Sequence, residues 1–195
     1  IGSNDGTLLK DFNSHGLSVL GVDPAKLIAR FASKQGVPTI PKFFGTNLAQ
    51  AIRKKYGQAS IITANNTIAN VDNLGGFIEG ISKLLSPSGV FVFETSYLLD
   101  MIKNMIFDVI YHEHISYFSV SPLVTFFKKN GLELFDIIHI PTKGGSIRCL
   151  VQLSGGPNKI SASVNHFVSF EKKFGLHKPQ IFENFERSIS KSKEQ

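Results

Sequence analysis

The sequence predicts an α/β fold, a doubly wound and mostly parallel sheet that closes with a C-terminal antiparallel hairpin. Short β-branched runs alternate with longer segments of helical spacing through the first half of the chain, the pattern of strands joined by crossover helices. Glycines end the helical segments at Gly16, Gly36 and Gly57, and Pro24 opens one of them; these are the positions where each residue type is favoured. The strand-like runs Leu132 to His139 and Ser146 to Leu153 are separated only by the loop Ile140 to Gly145, too short for a crossover and suited to a hairpin.

The elements follow in order. Only Ile1 stands before the glycine-containing loop Gly2 to Gly6, so the chain reads as a piece of a longer protein in which most of a first strand comes earlier. Helices are expected over Thr7 to His15, Pro24 to Gln35, Asn47 to Tyr56 and Leu74 to Leu85, and strands over Ser18 to Asp23, Pro38 to Phe44, Ser60 to Ala64 and Val90 to Glu94. A helical segment from Tyr97 to Met105 leads into the aromatic, histidine-bearing stretch Phe107 to Phe118, then a helix from Ser121 to Asn130 that Gly131 ends. From Gly155 the chain is polar with helical periodicity, and its end, Ser188 to Gln195, is expected to be loosely ordered. Residues 1–154 therefore read as a ligand-binding domain, and 155–195 as the start of a second domain or a helical tail.

Composition narrows the function classes. With 195 residues, 42% of them apolar, the chain can bury a core without disulfides or metal. Cys149 is its only cysteine, which excludes an internal disulfide and a cysteine-based zinc site and suits a reducing compartment, the cytoplasm by default. No run approaches the roughly 20 apolar residues of a membrane span, so no membrane partner is expected. The net charge of +6 is scattered, with Arg53-Lys54-Lys55 its densest cluster. Without interleaved basic and aromatic residues, nucleic acid is not an expected partner. Oligomeric state is not legible.

The loop Gly2-Ser3-Asn4-Asp5-Gly6-Thr7 sits where a strand turns into a helix; glycine there admits a close ligand, and the helix start offers free amide groups. Asp23, about 20 positions on at a strand end, is placed to bind ribose hydroxyls. Capping the helix that opens at Pro24 is its other reading. The pair points to an adenosine-type cofactor. The pattern is G-x-N-x-G, and Asn4 stands where a dinucleotide's pyrophosphate needs glycine. S-adenosylmethionine, which has no phosphate and carries an amino acid end, suits Gly2, Ser3, Asn4, Gly6, Pro24 and the pair Asn65-Asn66 better. Phe43 and Phe44 serve either to pack around adenine or to fill the core.

In Tyr111-His112-Glu113-His114-Ile115-Ser116-Tyr117 two histidines, a carboxylate and two tyrosines crowd together. The histidine spacing does not fit zinc, and proton transfer by a histidine suits the set. The blocks I-G-S-N-D-G-T-L-L-K, V-L-G-V-D-P-A, A-N-N, F-D-x-I-Y-H-E-H-x-x-Y-F-S and P-T-x-G-G-S-x-R, spanning Ile1 to about Leu153, resemble the sugar C-methyltransferases of deoxysugar pathways. Those enzymes methylate a dTDP-linked 4-keto sugar at carbon 3. Y-H-E-H and G-G-S-x-R are specific to that family, whereas the first two blocks fit many methyltransferases.

The resemblance implies a Rossmann-like class I methyltransferase sheet, S-adenosylmethionine as cofactor and a nucleotide-linked keto-sugar as substrate. It also implies a cysteine-rich zinc domain before this region and a sugar-binding domain after it. It makes His114 the base that removes the proton beside the keto group, with Tyr111 and Glu113 next to it, and puts Tyr117, Ser146 and Arg148 in the acceptor pocket. Arg148 reads equally as a surface charge on an edge strand. This chain departs from the family at Asn70 and Lys143, where the sugar enzymes carry histidines. Asparagine is no base and lysine adds a charge, so another keto-sugar, or another small-molecule acceptor of the same cofactor, is the alternative.

Overall fold

The computed structural model describes residues 1–193 and contains the expected α/β architecture. Strands β1 (Gly21–Val22) and β2 (Thr39–Ile40) pair in parallel. A second ladder runs β3 (Ala59–Asn65), β4 (Leu85–Ser96), β6 (Ser146–Leu153), β5 (Leu132–Ile140) in spatial order; β3 and β4 are parallel and β6 is antiparallel to both its neighbours. Ile1 and Gly2 connect the two ladders. The Ile1 amino group donates to the Thr63 carbonyl at 2.7 Å, and the Gly2 amide to the Val22 carbonyl at 2.8 Å.

Helices α1 (Thr7–Ser14), α2 (Lys26–Lys34), α3 (Thr46–Tyr56) and α4 (Leu74–Leu84) follow the loops as the periodicity predicts. Two strands are shorter than expected. Pro38 and Pro41 bracket β2 and have no N–H to donate, so the ladder stops and Phe43 and Phe44 fall into the loop before α3. β1 keeps only its last residues because no ladder forms over Leu17 to Leu20. By contrast β4 runs past Val90 to Glu94 in both directions, with a register shift against β3 between Ala59 and Ile61. Pro24 also lies before α2 and not within its first turn.

The core forms where α4 and α6 (Val120–Lys129) cover the sheet. Phe77, Ile78, Ile81 and Leu84 of α4, and Leu123 and Phe127 of α6, are buried together with Phe91 and Phe93 of β4. The Phe93 and Phe127 rings lie 5.7 Å apart. Helix α5 (Leu98–Lys103) follows β4, and α7 (Ala162–Phe174) packs against β5 and α6. The chain end, expected to be loose, is helical: α8 spans Pro179–Lys193, while Glu194 and Gln195 lie outside the described residues. No helix among the described residues is long and apolar enough to cross a membrane.

Glu171 of α7 is buried at 3% exposure, an unusual place for an acidic side chain. Its carboxylate accepts hydrogen bonds from the amides of Val120 and Ser121, the Ser121 hydroxyl and the Tyr97 hydroxyl. The start of α6 thus receives from another helix the cap that its own Ser119 does not supply. Burial, then the adjacent Glu171, pushes the Tyr97 phenol well above its ordinary value, which keeps it a donor.

Cys149 is wholly buried on β6, and burial likewise raises its thiol far above the ordinary range. A thiol in that state is inert. Iodoacetamide followed by peptide mass mapping should leave Cys149 unmodified in the folded protein and label it in urea; rapid native labelling would contradict the placement of β6.

Candidate functional site

The loop after Ile1 is built by backbone geometry. Gly2 has φ of 65°, and a Cβ there would collide with the Thr67 side chain, so no larger residue fits. Asn4 is also left-handed at φ 50°, a conformation asparagine tolerates. Its amide donates to one oxygen of Asp23 at 2.9 Å, and the Ala25 amide donates to the other, also at 2.9 Å. Asp23 is therefore the tie between loop and strand end, and its turn to Ala25 precedes α2 without being that helix's cap. Each carboxylate oxygen keeps acceptor capacity. The Ser3 hydroxyl is buried with no hydrogen-bond partner among the described residues, and a cavity of about 420 Å³ runs along Gly2, Ser3, Asn4, Thr63 and Asn65.

The strand ends beyond the loop turn the same way. Asn65 closes β3, and Asn66, left-handed at φ 51°, donates its amide to the Glu94 carbonyl at 2.7 Å. The two phenylalanines are placed differently. Phe44 packs edge-on against Phe77 at 5.3 Å, whereas Phe43 is 83% exposed. Both border a second cavity of about 600 Å³ with Lys42, Thr46 and Asn73.

The histidine-bearing stretch has no regular structure and is held from outside. A short 3₁₀ turn, Ile68–Asn70, offers the Ala69 carbonyl to the amides of Ile115 and Ser116 at 2.8 and 3.1 Å, which brings Asn70 beside the block. His114 Nδ1 lies 2.9 Å from the Val109 carbonyl, and Nε2 lies 3.0 Å from the Tyr111 hydroxyl. A carbonyl only accepts, so Nδ1 carries the proton; in the neutral ring Nε2 then holds the lone pair and Tyr111 donates to it. The two rings lie 4.3 Å apart, tilted by 35°. Tyr117 reaches the same Val109 carbonyl at 3.4 Å, and burial raises its phenol. Glu113 is exposed and makes no hydrogen bond among the described residues, so it does not orient His114 here.

The loop Pro141 to Gly145 contributes less than its sequence suggests. Lys143 is exposed and left-handed at φ 55°. Ser146, expected to face an acceptor, is completely buried and donates to the Thr142 carbonyl at 3.0 Å. Arg148 is on β6, an inner strand and not an edge. Its guanidinium pairs with Glu94 at 3.0 Å, and Thr142 donates to the same carboxylate at 3.3 Å. Sequence reasoning missed Glu94 in this role, and also a pair between Asp100 and His139 at 2.6 Å. Among the described residues no group of three or more His, Cys, Asp or Glu could hold a metal ion.

Residues 1–137 match the model of the methyltransferase domain, and residues 141–195 match the C-methyltransferase C-terminal domain. The chain is 33% identical over 184 residues to the C-methyltransferase NovU of Streptomyces niveus, a match that covers 94% of this chain and 44% of the relative. It thus spans less than half of that protein's length. A SAM-dependent methyltransferase from Anabaena variabilis superposes with a TM-score of 0.61 at 14% identity, covering 78% of this chain and 74% of that one. Magnesium protoporphyrin IX methyltransferase from Synechocystis, solved with bound SAH, gives 0.58 at 12% identity, over 77% and 70%. These structures share the fold, and the matched models cover both parts of the chain. The chain belongs to the methyltransferase-domain family and continues into its C-methyltransferase C-terminal domain.

Proposed function

We propose that the chain is the core of an S-adenosylmethionine-dependent C-methyltransferase that acts on a carbon beside the keto group of a nucleotide-linked deoxysugar. The observation that carries this reading is His114, with Nε2 free to take a proton and Tyr111 donating to it. Residues 1–154 form its cofactor domain and 155–195 begin the part that covers the acceptor. The residues present fit the cofactor: Asp23 retains acceptor capacity for ribose hydroxyls, and Ser3, Asn4, Asn65 and Asn66 offer polar groups for an amino acid end. Phe44 would offer an apolar ring edge for the adenine. When bound, the cofactor supplies an electrophilic methyl group.

The chain's own residues prepare the acceptor carbon. His114 Nε2 removes the proton beside the ketone, and the charge moves onto the keto oxygen as an enolate. Tyr111 leaves Nε2 when substrate enters and donates to that oxygen, since developing charge needs a placed donor. Asn70 lies beside the same segment, and Tyr117 and Lys143 complete the polar surround. A second reading, transfer to another small-molecule acceptor, is favoured by one observation: Arg148 is already paired with Glu94 and Ser146 is buried, which leaves fewer groups for a sugar nucleotide.

Calorimetric titration of the full-length protein tests the cofactor. Binding is expected for S-adenosylmethionine and S-adenosylhomocysteine but not NAD, and Asp23→Ala should weaken it about a hundredfold, because charged hydrogen bonds to both ribose and Asn4 are lost. Equal affinity in the variant would remove Asp23 from the site. Deuterium uptake from D2O at the carbon beside the ketone, without cofactor, separates the two acceptor readings. Only the first requires that exchange.

A further inference from the structure

We infer that Asp100 and His139 are a positioning pair that fixes the Gly144-Gly145 turn beneath the segment carrying Tyr111 and His114. The inference rests on the assignment of His114 as base. His139 Nε2, on β5, donates to Asp100 of α5 at 2.6 Å, and Asp100 is buried while His139 is half exposed. The Tyr97 and Phe167 rings lie nearby, each 6.4 Å from the imidazole. Among the described residues His139 is the one hydrogen-bond partner of the Asp100 carboxylate and so orients it.

That carboxylate lies flat on Gly145. A Cβ at Gly145, whose φ is 135°, would collide with Asp100, and one at Gly144 would collide with Ile106. Gly145 is thus required by contact and Gly144 by its φ of 78°: the turn is pressed between α5 and the chain that leaves it. The Tyr97 amide donates to the Gly145 carbonyl at 3.1 Å, and Asn104 Nδ2 donates to the Gly144 carbonyl at 3.2 Å. Asn104 and Ile106 begin the segment that contains His114. Its other end is tied to α5 as well, by the Leu98 amide to the Phe118 carbonyl at 2.9 Å. Asp100 therefore sits in the helix from which both ends of the catalytic segment hang, against the turn that supports one of them. Without the His139 donor, a buried carboxylate would lack its partner and seek water, and the turn and Asn104 to Ile106 would move with it. Displacement of about 1 Å at a catalytic group lowers turnover on the order of a hundredfold.

The test uses the full-length protein with His139→Ala, His139→Gln and Asp100→Asn. For each, kcat and acceptor KM, S-adenosylmethionine affinity, and amide hydrogen exchange over residues 104–118 are measured. His139→Ala should lower kcat about 10- to 100-fold, leave cofactor affinity unchanged and speed exchange in 104–118. His139→Gln keeps an N–H donor and should restore kcat and protection to near the wild-type level. Asp100→Asn should fall between them. Wild-type kcat and exchange in His139→Ala would overturn the proposal, as would exchange that rises evenly over the whole chain. Should His139→Ala not fold, the Gln and Asn variants decide by the same two readouts. Should no keto-sugar be methylated even by the wild type, the assignment of His114 fails, while the exchange data still decide whether the pair holds the segment.

Discussion

Replacing His114 by alanine is expected to lower turnover roughly 10²- to 10⁴-fold, the range a positioned general base contributes, with cofactor affinity unchanged. The geometry dictates both halves of that result. His114 sits in an irregular segment docked on the 3₁₀ turn Ile68–Asn70, and its hydrogen bonds go to Val109 and Tyr111, not to the Gly2 to Gly6 loop or Asp23. Its loss removes the proton acceptor without touching the loop that Asp23 holds. Tyr111→Phe should act more weakly, because it deletes one donor to the enolate and leaves the base, and the deficit should appear in kcat before KM. Steady-state kinetics with calorimetry on the same samples check this. Unchanged turnover in His114→Ala would take the residue out of the chemistry and leave the segment a mere pocket wall.

What the sequence revealed and what it hid divide along a physical line. Periodicity placed α1 to α4 and strands β1 to β4 because each is a local pattern of apolar residues, with a glycine following α1, α2 and α3. Strand ends were less legible. Pro38 and Pro41 cut β2 short, and that is readable from proline's missing donor, yet β-branched Thr39 and Ile40 between them and the aromatic pair Phe43-Phe44 beyond read as one strand. The Asp23 carboxylate was legible through its spacing to the loop, but its bond to the Asn4 amide was not, since that depends on a left-handed asparagine.

Contacts across long separations were invisible. His139 and Asp100 are 39 residues apart, and Arg148 and Glu94 are 54 apart. Charge alone says nothing of partners at such distance: the sheet register sets Arg148 opposite Glu94, and the Ser146 hydroxyl turns to the Thr142 carbonyl. The two glycines of G-G-S-x-R stand where Ile106 and Asp100 approach the backbone, a closeness that only the folded chain displays.

Glu171→Ala should destabilise the protein by roughly 3 to 5 kcal/mol, among the larger effects of a single substitution. Alanine would leave the Val120 and Ser121 amides, the Ser121 hydroxyl and the buried Tyr97 phenol without their acceptor. Each orphaned donor costs about 1 to 3 kcal/mol where water cannot reach it, and partial relaxation near Ser121, which is less buried, holds the sum to the stated range. Tyr97→Phe removes one donor together with its need and should cost only about 1 kcal/mol. Urea titrations of the three proteins, with unchanged m-values, measure these differences; a loss under about 1 kcal/mol for Glu171→Ala would mean that water replaces the carboxylate and that α6 is capped by solvent. The larger loss would carry a structural consequence, because Tyr97 and Val120 lie within the matched methyltransferase domain and Glu171 within the C-terminal one. One carboxylate would then join the two family segments into a single cooperative unit, and stability could not be assigned to either part alone.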